Sequence, residues 1–132
     1  FTAWSTVRVL GKQVVDLAKE RHVNLADVEE RSRKGGYMVY KGKKYTNYGV
    51  ATAAVRLTNA LLSDARTEMP VSNYREEYGT YLSYPAVVGR DGVVVQLQLD
   101  LTATEQEKLA TSAKYIKDRV KAEEQRAASN GN

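Results

Sequence analysis

The sequence has 132 residues, 42% hydrophobic and 27% charged, with no cysteine and a formal net charge of +4. That size and balance describe one globular domain with a real core. The lack of cysteine excludes a disulfide framework, a thiolate zinc site and a cysteine nucleophile, and it suits a reducing compartment such as the cytoplasm.

Residues 2–10 alternate loosely and predict a strand. Gly11-Lys12 punctuates it, and Gln13-Val14-Val15 reads as a short return strand. Asn24 is an N-cap for a helix starting at Leu25, with acids in its first turn. Gly35-Gly36 is expected to stop that helix, leaving Tyr37 to Lys44 as a loop or short extended piece. Thr46 opens the longest apolar-periodic stretch, with Val50, Ala54, Leu57, Leu61 and Ala65 on one stripe. This predicts a largely buried helix over 46–65.

Met69 to Val71 is a short extended piece, and the polar run Ser72 to Gly79 reads as a connection. A strand follows over 81–88, where Pro85 argues for an edge or a bulge. Gly89-Arg90-Asp91-Gly92 signals a hairpin turn. Residues 93–101 then alternate apolar and polar, the clearest strand in the chain. Thr102-Ala103-Thr104-Glu105 is a capping box. The helix after it, over 103–124, carries the stripe Leu109, Ala113, Ile116 and Val120, and the tail from Ala127 to Asn132 is expected to fray. Strands and helices do not alternate as parallel units require. The expected class is α+β, a mixed or antiparallel sheet with flanking helices.

The chemistry is sparse. No glycine-rich phosphate fingerprint opens a helix, so the chain alone does not hold a dinucleotide in the usual manner. The single histidine, His22, reads as a surface residue at a helix entrance. No metal-ligand spacing exists, and no serine sits in a Gly-x-Ser-x-Gly elbow. The densest basic run, Lys41-Gly42-Lys43-Lys44, reads as a solvated loop. No apolar run reaches the ~18 residues of a membrane span, and no signal peptide is visible. The chain opens at Phe1, directly before the strand expected over 2–10, which suggests a fragment.

Four segments carry a resemblance. They are Trp4-Ser5-Thr6-Val7-Arg8-Val9-Leu10-Gly11; Lys44-Tyr45-Thr46-Asn47-Tyr48-Gly49-Val50-Ala51; Val71-Ser72, Tyr78-Gly79 and Tyr81 to Val93; and Leu101-Thr102 with Glu105 and Glu107-Lys108-Leu109. In this order and spacing they resemble the second half of L-lactate dehydrogenases, in particular the L-2-hydroxyisocaproate dehydrogenase branch. The resemblance runs over nearly the whole chain. It implies a lactate/malate dehydrogenase C-terminal-domain fold over 1–132, the substrate-side half of an NAD-dependent L-2-hydroxyacid dehydrogenase. The family's amino-terminal Rossmann domain, which holds most of the NAD, and its acid/base histidine would precede Phe1.

No catalytic or metal-binding residue is therefore expected in this chain. The resemblance implies that Thr46 faces the substrate and that Val50 packs against the nicotinamide ring. On a helix, positions 46 and 50 would share one face. Tyr48 stands where many lactate dehydrogenases carry tryptophan, which leaves the size of the 2-oxo acid open. Expected partners are a small 2-oxo or 2-hydroxy acid, the Rossmann domain and further copies of the chain, with no membrane and no nucleic acid. Alternatives are a malate dehydrogenase C-terminal domain and a small basic nucleic-acid-binding module.

Overall fold

A computed structural model describes residues 1–130. The chain opens with a 3-10 turn over Trp4–Thr6, then a two-residue hairpin of β1 (Arg8–Val9) and β2 (Lys12–Gln13). The strand expected over 2–10 is thus mostly a turn. Thr6 gives both its N–H and its hydroxyl to the Ala3 carbonyl, so local bonds replace a ladder. The return strand is also cut short, because Val14 begins α1 (Val14–Glu20).

Helix α2 runs over Leu25–Lys43, and the Asn24 side chain caps it by accepting from the Ala26 N–H at 3.0 Å. It passes straight through Gly35-Gly36, so the expected stop there is wrong. Each glycine costs a helix about 1 kcal/mol relative to alanine, which is not enough to end one bounded by good signals on both sides. The true end is Lys44, at φ 67, whose N–H returns to the Tyr40 carbonyl. Tyr37 to Lys43 is helical, not a loop, and the basic run forms the last turn, where cations suit the helix dipole.

Helix α3 spans Tyr48–Leu62, with Asn47 at its N-cap. Thr46 therefore lies before the helix rather than opening it. Nor is α3 largely buried: Ala60 is its one buried residue, and Val50, Val55 and Leu62 are exposed. Its apolar stripe exceeds what this chain covers.

The main sheet is antiparallel, in the order β3 (Thr67–Arg75), β4 (Thr80–Gly89), β5 (Gly92–Gln96). The predicted connection over 72–79 shrinks to a tight turn after Arg75, because Ser72 to Arg75 pair with Thr80 to Ser83. Strand β4 is central, not an edge, and a bulge lies between Val87 and Val88. Pro85 faces Pro70 across the β3–β4 pair. Its carbonyl accepts from the Leu97 N–H, on the β5 side. The two rings thus share a non-hydrogen-bonded position, where neither must donate. The β4–β5 hairpin is as expected, but β5 stops at Gln96 and residues 97–101 are irregular.

Leu82 and Tyr84 of β4 meet Leu109 and Ala113 of α4 (Ala103–Asn130) in the core, with Tyr78, Leu99, Leu101 and Ile116 packed around them. Val120, expected on the same stripe, is half exposed. The helix continues through Ala127 to Asn130, where fraying was expected; Gly131 and Asn132 lie outside the described residues.

Arg75 sits inside this core at 1% exposure. Its guanidinium bonds Glu77 at 2.6 and 2.9 Å, the Leu97 carbonyl at 3.3 Å and the Gln98 side chain at 3.3 Å. It also lies over the Tyr84 ring, 4.3 Å from its centroid. Removing it opens a cavity, while Glu77, 46% exposed, returns to water. Arg75→Ala is expected to cost about 2–5 kcal/mol, mainly from the lost packing, read from urea denaturation. Arg75→Lys should recover only part of that, since an ammonium cannot reproduce the fork or the stack.

The capping box at the start of α4 forms as expected. Thr102 Oγ1 accepts from the Glu105 N–H, and Glu105 Oε2 accepts from the Thr102 N–H at 2.9 Å. Burial pushes the Glu105 carboxyl up, but bonds from the Ser5 hydroxyl and N–H and from Thr102 outweigh it and hold it at about 2. A depressed carboxylate stabilises the fold fully above its unfolded value, here 4.5, and loses that contribution as pH falls through the folded value. Acid titration of stability should therefore show a decline between about pH 4.5 and 2 that is blunted in Glu105→Gln.

Candidate functional site

Helix α2 presents Arg33, Gly36, Tyr37 and Tyr40 at steps of three, one and three, one stripe of a helix. With Thr46 they line an open cavity of about 430 Å³. Thr46 reaches it because α2 ends at Lys44 and the chain turns back toward α3. Lys43 secures that turn, its Nζ lying 4.9 Å from the Tyr45 ring centroid and 4.4 Å from that of Tyr48. Gly36 leaves open space where a side chain would stand. An adjoining hollow of about 710 Å³ adds Lys34, Met38 and Lys41 around Arg33 and Tyr37. Cations and tyrosines dominate both, a lining that favours a small anion with an apolar tail.

Val50 lies elsewhere. It is 69% exposed on the first turn of α3 and lines a groove with Ala53, Ala54, Leu57, Met69 and Val71, between α3 and β3. The expected shared helical face of Thr46 and Val50 does not exist, because Thr46 precedes the helix. The groove is lined mainly by small and apolar side chains, with Arg56 among them. Sequence reasoning does not single out Arg33, Gly36, Tyr37 or Tyr40: a helix stopped at Gly35-Gly36 cannot place Tyr37 and Tyr40 on one stripe with Arg33. Their spacing was the available signal.

His22 is exposed at φ 55 between α1 and α2. Among the described residues, no group of three or more His, Asp or Glu is placed to hold a metal ion, and no helix is long and apolar enough to cross a membrane.

Residues 1–127 match the family model described as lactate/malate dehydrogenase, alpha/beta C-terminal domain. The chain belongs to the lactate/malate dehydrogenase family. Within that family it is 38% identical over 120 residues to an L-lactate dehydrogenase of Deinococcus radiodurans, covering 87% of this chain and 40% of that one. It is 35% identical over 130 residues to L-lactate dehydrogenase 1 of Enterococcus faecalis, covering 89% and 38%. Among solved structures, a lactate dehydrogenase from a Medee basin deep-sea metagenome library superposes with a TM-score of 0.83 at 27% identity, over 92% of this chain and 41% of that one. The ligand-bound minor L-lactate dehydrogenase of Enterococcus mundtii gives 0.81 at 26% identity, over 88% and 40%. The chain thus spans about 40% of the length of these relatives, and its α+β fold is that of the lactate/malate dehydrogenase C-terminal domain.

Because Asn47, not Thr46, is the N-cap of α3 and makes no side-chain capping bond, changing Thr46 tests the cavity without unseating a cap. On the reading that the full-length protein acts on 2-oxo acids with Thr46 against the substrate, Thr46→Gly is expected to shift kcat/KM toward bulkier acids by roughly ten- to two-hundred-fold relative to pyruvate. The melting temperature should change little. An equal fall for pyruvate, 2-oxobutyrate and 2-oxoisocaproate would remove Thr46 from the substrate wall.

Proposed function

We propose that this chain is the substrate-side half of an NAD-dependent L-2-hydroxyacid dehydrogenase of the L-lactate type, a cytoplasmic enzyme that interconverts a 2-oxo acid and its L-2-hydroxy acid. The observation that carries the reading is the cavity between α2 and Thr46, cationic at Arg33 and apolar between its tyrosines, on a chain whose relatives are L-lactate dehydrogenases. A carboxylate would be drawn by the positive lining, and the side chain of the acid would lie toward Gly36 and Tyr40. Thr46 bounds the substrate, and its identity and that of Tyr40 limit how large the acid can be.

A nicotinamide cofactor, when bound, supplies or accepts the hydride. This chain offers it one wall, Val50 with Ala53 and Ala54. It has no glycine-rich turn to cradle pyrophosphate, so a Rossmann half preceding Phe1 would carry the rest of the cofactor, together with the acid/base group. The chain's own part is to bind, orient and dry the substrate. Pairing with further copies of the protein is consistent with the exposed Val55 and Leu62.

The test is NADH consumption with pyruvate and with 2-oxoisocaproate. The full-length protein should turn over at least one of them, and the purified 132-residue chain should turn over neither, for want of an acid/base group. Turnover by the chain alone would overturn the division of labour; no turnover by the full-length protein would overturn the activity.

A further inference from the structure

Glu105 does more than a capping box asks. A box of this kind accepts glutamine as readily as glutamate, because one acceptor oxygen suffices. Here both carboxylate oxygens are used, and every partner is a donor. Oε1 accepts from the Ser5 N–H at 3.0 Å. Oε2 accepts from the Ser5 hydroxyl, from the Thr102 N–H at 2.9 Å and from the Thr102 hydroxyl at 2.8 Å. The group is 8% exposed. A glutamine amide would have to turn its NH2 toward one set of donors, so the site demands a carboxylate, and Ser5 is the reason.

Ser5 and Glu105 are 100 residues apart in sequence. A second carboxylate holds the same segment from the other side: Glu29 Oε1 accepts from the Thr2 N–H at 3.2 Å. Glu29 lies on α2 four residues before Arg33, so it shares the face that leads into the cavity. Residues 2–5 are therefore braced between the helix that lines the cavity and the first turn of α4. Backbone N–H groups make both attachments, so the brace fixes where the chain runs and not merely where a side chain rests.

We propose that Glu105, assisted by Glu29, is a positioning residue that sets how the amino-terminal half of the enzyme meets the substrate cavity. This rests on the two-half dehydrogenase reading, in which that half enters through Phe1 to Ser5. Its consequence is kinetic. Loosening the brace leaves each half able to bind its own ligand but misaligns the two, and small misplacements of reacting groups are costly.

The experiment compares wild type, Ser5→Ala, Glu29→Ala, Glu105→Gln and Thr102→Ala in the full-length enzyme, by steady-state kinetics with NADH and pyruvate or 2-oxoisocaproate and by thermal melting. Glu105→Gln is expected to lower kcat by about tenfold and Ser5→Ala by roughly threefold, with the KM for NADH within about twofold of wild type. Thr102→Ala, which removes the cap hydroxyl but leaves Ser5 on Glu105, should lower the melting temperature and keep kcat. Two results would overturn the proposal: wild-type kcat in folded Glu105→Gln and Ser5→Ala, or an equal loss of kcat in Thr102→Ala measured well below its melting temperature. If Glu105→Gln does not fold, Glu29→Ala decides, since it removes the other backbone attachment, at Thr2, and leaves the capping box intact: a wild-type kcat in that variant overturns the proposal. A wild-type enzyme inactive with both acids is a separate outcome: it removes the dehydrogenase reading, and the positioning role with it.

Discussion

A guanidinium cannot shed its charge when it is taken out of water, so a protein that buries one must surround it. Arg75 imposes that requirement on this domain. Its ring of partners comes from two places in the chain: the β3–β4 turn at Glu77, and the segment just past β5, where the Leu97 carbonyl and the Gln98 side chain accept. Tyr84 closes the remaining side with its π face. Satisfying one charge thus fixes the turn, ends β5 and sets the path of residues 97–101 into α4. Tyr84 is itself in the core that α4 covers, so the polar ring and the apolar core share a wall.

The parts of this architecture that were legible in the sequence are those governed by local rules. Alternation on either side of Gly89 to Gly92 gives the central hairpin, and Asn24, Thr102 and Glu105 mark helix starts that form as read. What failed depends on partners distant in sequence. Arg75 looks like the solvated charge of a connection until Leu97 and Gln98 arrive beside it, which is why half of β3 was invisible. Residues 97–101 alternate like a strand but have no neighbour to pair with beyond the Leu97 N–H. Trp4 to Thr6 alternates too, yet Glu105 and Ala3 take the donors that a strand would have used.

The site follows the same division. Thr46 and Val50 came from family resemblance, and nothing in their spacing alone distinguishes them from a cap and a core residue. Their surroundings depend on α2 persisting through two glycines, a matter of small opposing energies that local propensity does not decide. The exposure of α3 has a different origin. The stripe from Val50 to Ala65 predicts burial, but Ala60 is the one buried residue of α3 and Val50 is 69% exposed, because among the described residues little packs over that face.

The facing prolines of β3 and β4 bear on how the chain finds its register. Sliding β3 by a single residue would turn Pro70 toward β4, where the ladder needs an N–H that proline lacks. The same slip would exchange the inward and outward sides of β3, taking Asn73 and Arg75 out of the interior. A slip of two residues restores the inward side and, because the ladder repeats every two residues, costs no bond at either ring. During folding, when the strands can still slide, the prolines thus exclude the odd registers, and the tight turn after Arg75 together with the packing of Asn73 and Arg75 must select among the even ones.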